Sequence, residues 1–282
     1  MGEIIVVDKK DFESKKAKFI QGGVLNLHVL SDFDRTLTKA FVNGKKMPSV
    51  ISELRSGPYI SEDYSKKANE LASFYHPIEM DLNIPLEEKK AKMLEWWAKH
   101  FALLVDSGLK KEHIKQIIYS GNIQFRDKAP ELLDILNKAK VPHVILSSAG
   151  LGGDSIRIFL EKEGKLNDNV HIISNAFEWN SEGKAIRVKE PIIHVFNKDE
   201  ASVKGLPIYP ELLKRKNVLL LGDGLGDLGM IAGFPYENLI KIGFLDYDVE
   251  ENLESYKKAF DVVIIGDGDM GFIVDLIKDI VK

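Results

Sequence analysis

Apolar residues along this chain gather into short continuous runs set apart by longer stretches of helical period. Val24 to Leu30, Val141 to Ser148, Val170 to Ser174, Asn217 to Leu221, Leu239 to Ile242 and Val262 to Ile265 are rich in Val, Ile and Leu and carry little polar alternation. That pattern predicts strands buried on both faces. Between them the 3.6-residue period predicts helices over Ala129 to Lys140, Asp154 to Gly164, Glu211 to Arg215, a stretch from Asp227, Glu250 to Lys258 and Phe272 to Val281. Strand and helix in alternation imply an α/β fold, with a doubly wound, mainly parallel sheet of Rossmann-like type. The run Ala176 to Val188, with Asn180-Ser181-Glu182-Gly183 at its middle, reads as a hairpin. A charged segment from Asp8 to Gln21, with Phe12, Ala17, Phe19 and Ile20 interspersed, reads as a lead-in helix.

The pattern changes after the first strand. From about Phe41 to Arg126 the strands stop and loops and helices take over. Ser61-Glu62-Asp63 opens a helix that His76-Pro77 is expected to end near Tyr75, Pro85 opens another through Asp106, and Lys110 to Tyr119 forms a third. The expected organisation is a helical cap over residues 41–126, inserted into a core formed by 1–40 and 127–282.

Composition narrows the function classes. At 282 residues, 44% hydrophobic and 29% charged, the chain can bury a sizeable core. A net charge of −4 argues against a nucleic-acid polymer held by its phosphates, although a small anion can still be bound locally. The absence of cysteine removes disulfides, thiolate chemistry and Cys-based zinc sites. Met1 to Asp8 lacks the basic and apolar regions of a signal peptide, and no stretch is long enough to span a bilayer, so no membrane association and a cytoplasmic location are expected.

Two acidic segments carry the chemistry. Asp32-Phe33-Asp34-Arg35-Thr36-Leu37-Thr38 and Gly222-Asp223-Gly224-Leu225-Gly226-Asp227 each follow an apolar run directly. Their carboxylates are therefore expected just past the carboxyl ends of strands, where open α/β sheets bind ligands. Oxygen ligands brought together in this way call for a hard cation such as Mg2+, and the substrate suited to such a site is a phosphate. An ionised Asp32 can attack phosphorus, while Asp34 serves as acid for the departing alkoxide and then as base for water. Asp223 is the better metal ligand of the second segment, with Asp227 behind it. Ser147-Ser148-Ala149-Gly150 ends another strand in hydroxyls and glycine, which suits either a phosphate cradle or a plain strand-to-helix turn. Lys198, just past the run Ile192 to Phe196, is either the cation that neutralises the phosphate or a solvated lysine.

In this order the motifs resemble those of the haloacid dehalogenase superfamily. More narrowly, Ser148-Ala149-Gly150-Leu151-Gly152, His194-Val195-Phe196-Asn197-Lys198, Leu219 to Asp223 with Gly226-Asp227-Leu228 and Met230, and Ile78-Glu79-Met80-Asp81 with Glu95-Trp96-Trp97 are similar to the cytosolic 5'-nucleotidase III family. The resemblance implies Mg2+-dependent hydrolysis of nucleoside 5'-monophosphates through an aspartyl phosphate, and interception of that intermediate by the hydroxyl of a second nucleoside would give phosphotransfer as a side activity. It implies Asp32 as nucleophile and metal ligand, Asp34 as acid/base with its carbonyl on the metal, and Asp223 as the remaining ligand. Ser148 and Ala149 would hold the phosphate and Lys198 would neutralise it. Glu79 matches a cap residue that contacts the base; an ionised carboxylate only accepts hydrogen bonds and so suits a base edge bearing donors, but a surface carboxylate of the cap is the other reading. At His100 the family's pattern has a Ser in substrate contact, and the imidazole here either meets base or ribose or packs beside Trp96 and Trp97. The remaining alternatives are a phosphatase for another phosphomonoester, such as phosphoserine or a sugar phosphate, and a nonenzymatic nucleotide-binding module. Asp267-Gly268-Asp269-Met270-Gly271 lacks the later ligands of a calcium loop.

Overall fold

The computed structural model describes residues 2–42, 44–81, 83–198, 205, 207–233 and 235–282. The six apolar runs form the parallel strands β2 (Leu27–Ser31), β5 (His143–Ser147), β6 (Val170–Ser174), β9 (Asn217–Gly222), β10 (Asn238–Leu245) and β11 (Val262–Ile265). A further strand, β1 (Ile4–Val6), lies antiparallel on β11 and completes the order β1-β11-β10-β9-β2-β5-β6. At three residues β1 is too short to show a period, and the sequence did not announce it. Each central strand divides its side chains between the two faces. Leu219 and Leu221 of β9 join one core cluster, whereas Val218 and Leu220 join the other. The first face is covered by α1 (Lys9–Gly22), α6 (Ala129–Lys138), α7 (Gly152–Lys162) and α10 (Gly271–Val281). On the second face lie α8 (Tyr209–Leu212), the 3-10 stretch Leu225–Gly233 and α9 (Val249–Ala259).

Several boundaries differ from expectation. The first strand starts at Leu27 because Val24–Asn26 forms a 3-10 turn with Leu25 exposed. Asp227 belongs to a 3-10 stretch, which lets its carboxylate turn back on the loop before it. β10 runs three residues beyond Ile242, paired with β11 through Leu245.

The described residues of 41–126 contribute no strand to the main sheet. They supply a small ribbon, β3 (Phe41–Val42) with β4 (Lys45–Lys46), and the helices α2 (Val50–Ser56), α3 (Glu62–Met80), α4 (Leu86–Asp106) and α5 (Lys111–Tyr119). Pro77 does not end α3, which continues to Met80. There the exposed Glu79 carbonyl is satisfied by Lys89 Nζ at 2.9 Å. α3 and α4 are fastened by Tyr75 stacked on Trp96, with ring centroids 5.7 Å apart. A second hairpin, β7 (Phe177–Trp179) with β8 (Ala185–Val188), stands where the sequence put it.

Candidate active site

Strand order places the motif-bearing strands side by side. β2 lies between β9 and β5, all three are parallel, and the chain switches from one side of β2 to the other between β6 and β9. The first acidic pair, the Ser-Ser-Ala-Gly turn and the second acidic segment therefore open onto one edge at a topological switch point. Asp32 continues the ladder by one bond, its amide donating to the Leu221 carbonyl at 3.0 Å, and its side chain is buried.

Lys198 reaches this edge from outside the sheet. Its Nζ donates to Asp32 Oδ1 at 2.5 Å and to Asp227 Oδ1 at 2.8 Å, and it is buried. Burial disfavours the ammonium, but Asp227 and Asp32 outweigh that effect and raise its pKa. Lys198 is thus not a solvated lysine. The other oxygen of Asp227 accepts the amides of Asp223 and Gly224, both at 3.0 Å, so this carboxylate shapes the loop that presents Asp223. Gly222 has to be glycine here, since a Cβ would lie 2.5 Å from the Asp227 side chain.

One oxygen from each of Asp32, Asp223 and Asp227 lies within 4.8 Å of the others. Burial raises the Asp32 carboxyl to about 6 against the pull of Lys198. Burial also holds Asp223 well above the ordinary carboxylate range, although Arg35 Nη1 stands 3.7 Å away. Carboxylates crowded beyond what the nearby cations relieve, with oxygen as the only donor, suit a hard divalent cation. The Asp34 carboxylate is not part of that group. Burial raises its pKa too, while Arg35 and the Val50 amide at the start of α2 oppose the rise.

The Ser148-Ala149-Gly150 turn is tied to the loop that carries Lys198. Asn175, just past β6, donates from Nδ2 to the Ala149 carbonyl at 3.4 Å and to the Ile193 carbonyl at 2.9 Å, and accepts the Ile193 amide at 2.8 Å. From the other side the helical segment presses down on the turn. A Cβ on Gly150 would lie 2.8 Å from both Ile51 Cγ1 of α2 and Trp97 Cζ3 of α4. Glu79 near the end of α3 is one-quarter exposed and accepts from His76 Nδ1 at 3.0 Å. It adjoins the Lys198 loop through Lys89, which bonds its carbonyl and lies over the Phe196 ring. His100 is 2% exposed and packs edge-on to Trp97, with Nε2 3.4 Å from the Tyr64 hydroxyl. Burial and the neighbouring Arg55 lower its pKa to about 4, so it is neutral at ordinary pH.

Residues 35–281 match the model of the pyrimidine 5'-nucleotidase family, UMPH-1. The chain belongs to this family. Relatives include 7-methylguanosine phosphate-specific 5'-nucleotidases. The Gallus gallus protein is 37% identical over 91% of this chain and 88% of its own length, and the Homo sapiens protein is 34% identical over 92% and 86%. Cytosolic 5'-nucleotidase IIIB, solved with cytidine bound, superposes with a TM-score of 0.89 at 28% identity, covering 98% of this chain and 93% of that one. A substrate-bound phosphoserine phosphatase, at 17% identity and a TM-score of 0.53, shares the fold of the sheet and its helices and nothing finer.

Some contributors to the site in this pyrimidine 5'-nucleotidase family member were missed by sequence reasoning. Asn175 was available as a polar residue ending an apolar run, the same signal that gave Asp32. Tyr256, whose hydroxyl donates to the Asp223 carbonyl at 2.5 Å, lies mid-helix and gave no signal. Arg35 sat inside a quoted motif, but its reach to Asp223 depends on a left-handed backbone, φ 61°, that no pattern shows.

Proposed function

We propose that this protein hydrolyses nucleoside 5'-monophosphates to nucleoside and phosphate through an aspartyl phosphate. The observation that carries the reading is the junction of Lys198 with Asp32 and Asp227, with Asp223 gathered beside them. Asp32, Asp223 and the Asp34 carbonyl would hold Mg2+, with Asp227 orienting the loop. When bound, the ion neutralises phosphate charge and lets Asp32 stay ionised.

In the first half-reaction an Asp32 oxygen forms a bond to phosphorus as the bond from phosphorus to the 5'-oxygen breaks. Asp34, whose pKa burial raises from the ordinary carboxylate value, gives a proton to that oxygen. In the second, Asp34 takes a proton from water, the water oxygen bonds to phosphorus, and the bond from Asp32 to phosphorus breaks. Lys198 and the Ser148-Ala149 turn hold the phosphate oxygens throughout. Residues 41–126 act as the cap that shields these steps from water. Glu79 reads a base edge bearing hydrogen-bond donors, and His100 acts from behind Trp97 by fixing that ring. The protein is proposed to work in the cytoplasm, and among the described residues no helix is long and apolar enough to cross a membrane.

Phosphate release from CMP, UMP, GMP, AMP, 7-methyl-GMP, phosphoserine and glucose 6-phosphate, with Mg2+ and with EDTA, tests this reading. Metal-dependent release from nucleotides alone is expected and would name the base. Release only from the other esters would keep the chemistry and reject the substrate, and tight nucleotide binding without turnover would reject the enzyme.

A further inference from the structure

Among the described residues the largest fully buried side chain is Arg126, at the point where the chain returns from the helical segment. All five of its guanidinium N–H groups have acceptors. Nε donates to the Thr36 carbonyl at 3.0 Å, and Nη2 to the Arg35 carbonyl and to Asp246 Oδ2, the last at 2.7 Å. Nη1 donates to the Gly268 carbonyl at 2.9 Å and to Asp267 Oδ1 at 3.3 Å. The plane lies over the Phe244 ring, 4.2 Å from its centroid.

Those partners form two sets. Arg35 and Thr36 are the residues directly after Asp34, where Arg35 adopts its left-handed conformation with its amide on Thr38 Oγ1 at 2.8 Å. Asp246 and Asp267 lie just past the ends of β10 and β11, and they are locked together by the Asp267 amide on Asp246 Oδ1 at 2.8 Å. Asp267 also accepts the amides of Ala40 and Phe41, at 2.9 and 3.2 Å, on the outgoing crossing into the helical segment. The two crossings are joined to each other by a Thr38–Phe125 bridge and by the Arg126 amide on the Leu37 carbonyl at 2.8 Å.

We propose that Arg126 is a positioning residue for proton transfer: its fork fixes the Asp34-Arg35-Thr36 turn, and both crossings into the cap, against the rigid ends of β10 and β11. A lysine cannot reproduce the function, because one ammonium offers three donors from a single point where five converge from a plane. The proposal rests on the reading of Asp34 as acid and base. It requires that loosening the brace damage the step in which the leaving oxygen needs a proton, and spare a step in which it does not.

The test is first-turnover release of the leaving group, measured by rapid quench in Mg2+ for wild type and Arg126→Lys. The substrates are p-nitrophenyl phosphate, whose phenolate departs unprotonated, and whichever nucleoside monophosphate the wild type cleaves. Arg126→Lys keeps a cation against buried Asp246 so that the protein can fold. The expected result is a fall of about tenfold or more on the nucleotide, with KM nearly constant, and less than about threefold on p-nitrophenyl phosphate. Equal losses on both substrates, or no loss on either, would overturn it. If Arg126→Lys does not fold, Asp267→Asn weakens one arm of the same brace and is expected to show the same skew at about threefold; an unskewed result there is equally fatal. Wild-type turnover separates the two readings. A wild type inactive on every nucleotide rejects the nucleotidase, and the comparison is then run on an alkyl phosphate it does cleave; an active wild type with unskewed variants rejects the brace alone.

Discussion

Asp32 is buried in contact with a lysine that also grips Asp227, so replacing it changes chemistry more than shape. Asp32→Asn is expected to fold, with turnover reduced by at least about a thousandfold; appreciable residual hydrolysis would reject Asp32 as nucleophile. Glu79 lies at the periphery and touches His76. Glu79→Ala is expected to change the ratio of kcat/KM among bases by about tenfold while leaving p-nitrophenyl phosphate hydrolysis within about twofold; matched losses on both would reject a role in base recognition. His100 makes a prediction about pH. Its folded pKa is lowered to about 4 from 6.5, so the unfolded chain binds the proton more tightly. Its contribution to stability is therefore present in full above about 6.5 and is lost as the pH falls towards about 4, at up to roughly 1.4 kcal/mol per unit. The Tm of wild type should drop relative to His100→Gln across that window, and parallel curves would show that the imidazole is not held neutral. The residues legible beforehand were those that lie just past an apolar run, Asp32, Asp223, Ser148 and Lys198 among them. Arg126 was illegible because every group it binds is remote in sequence or belongs to the backbone.

At the scale of elements, the apolar runs found the six parallel strands, since strands buried on both faces leave continuous hydrophobic stretches. The ends were less visible. Helix α3 passes through Pro77 because its last carbonyls find Lys89 and the Asp81 amide, a tertiary remedy that a local stop signal does not encode. Nor did the sequence show α2, one turn of which supplies the Val50 amide to Asp34 and sets Ile51 against Gly150. That contact carries its own prediction. Gly150→Ala puts a Cβ 2.8 Å from Ile51 and Trp97, and the overlap is relieved by moving α2 and α4 away from the phosphate turn. A cost of about 1–3 kcal/mol to the closed arrangement should lower kcat/KM by about tenfold or more while the sheet stays intact. An unchanged kcat/KM would mean that the cap does not rest on this turn during catalysis.

For the molecule as a whole, one core cluster runs from Phe159 and Leu160 of α7 through Leu54 and Phe101 of the helical segment, and beside it Tyr75, Met93 and Trp96 form a small cluster between α3 and α4, so the insertion shares most of its buried side chains with the core. Unfolding in urea should therefore be a single transition, with the fluorescence of Trp96, Trp97 and Trp179 coinciding with far-UV circular dichroism. A tryptophan signal that melts first would show a cap that unfolds on its own. The strand order has a further consequence, in time. β2 is translated early, but its neighbour β9 comes from the last quarter of the chain, and Lys198 joins Asp32 across 166 residues. During synthesis β2 must wait with one edge unpaired until β9 has emerged, a long-range closure of the kind that slows folding and invites aggregation. A nascent fragment that stops short of β9 cannot bring the Asp223 loop to Asp32, so the three carboxylates first meet only after β9 has emerged.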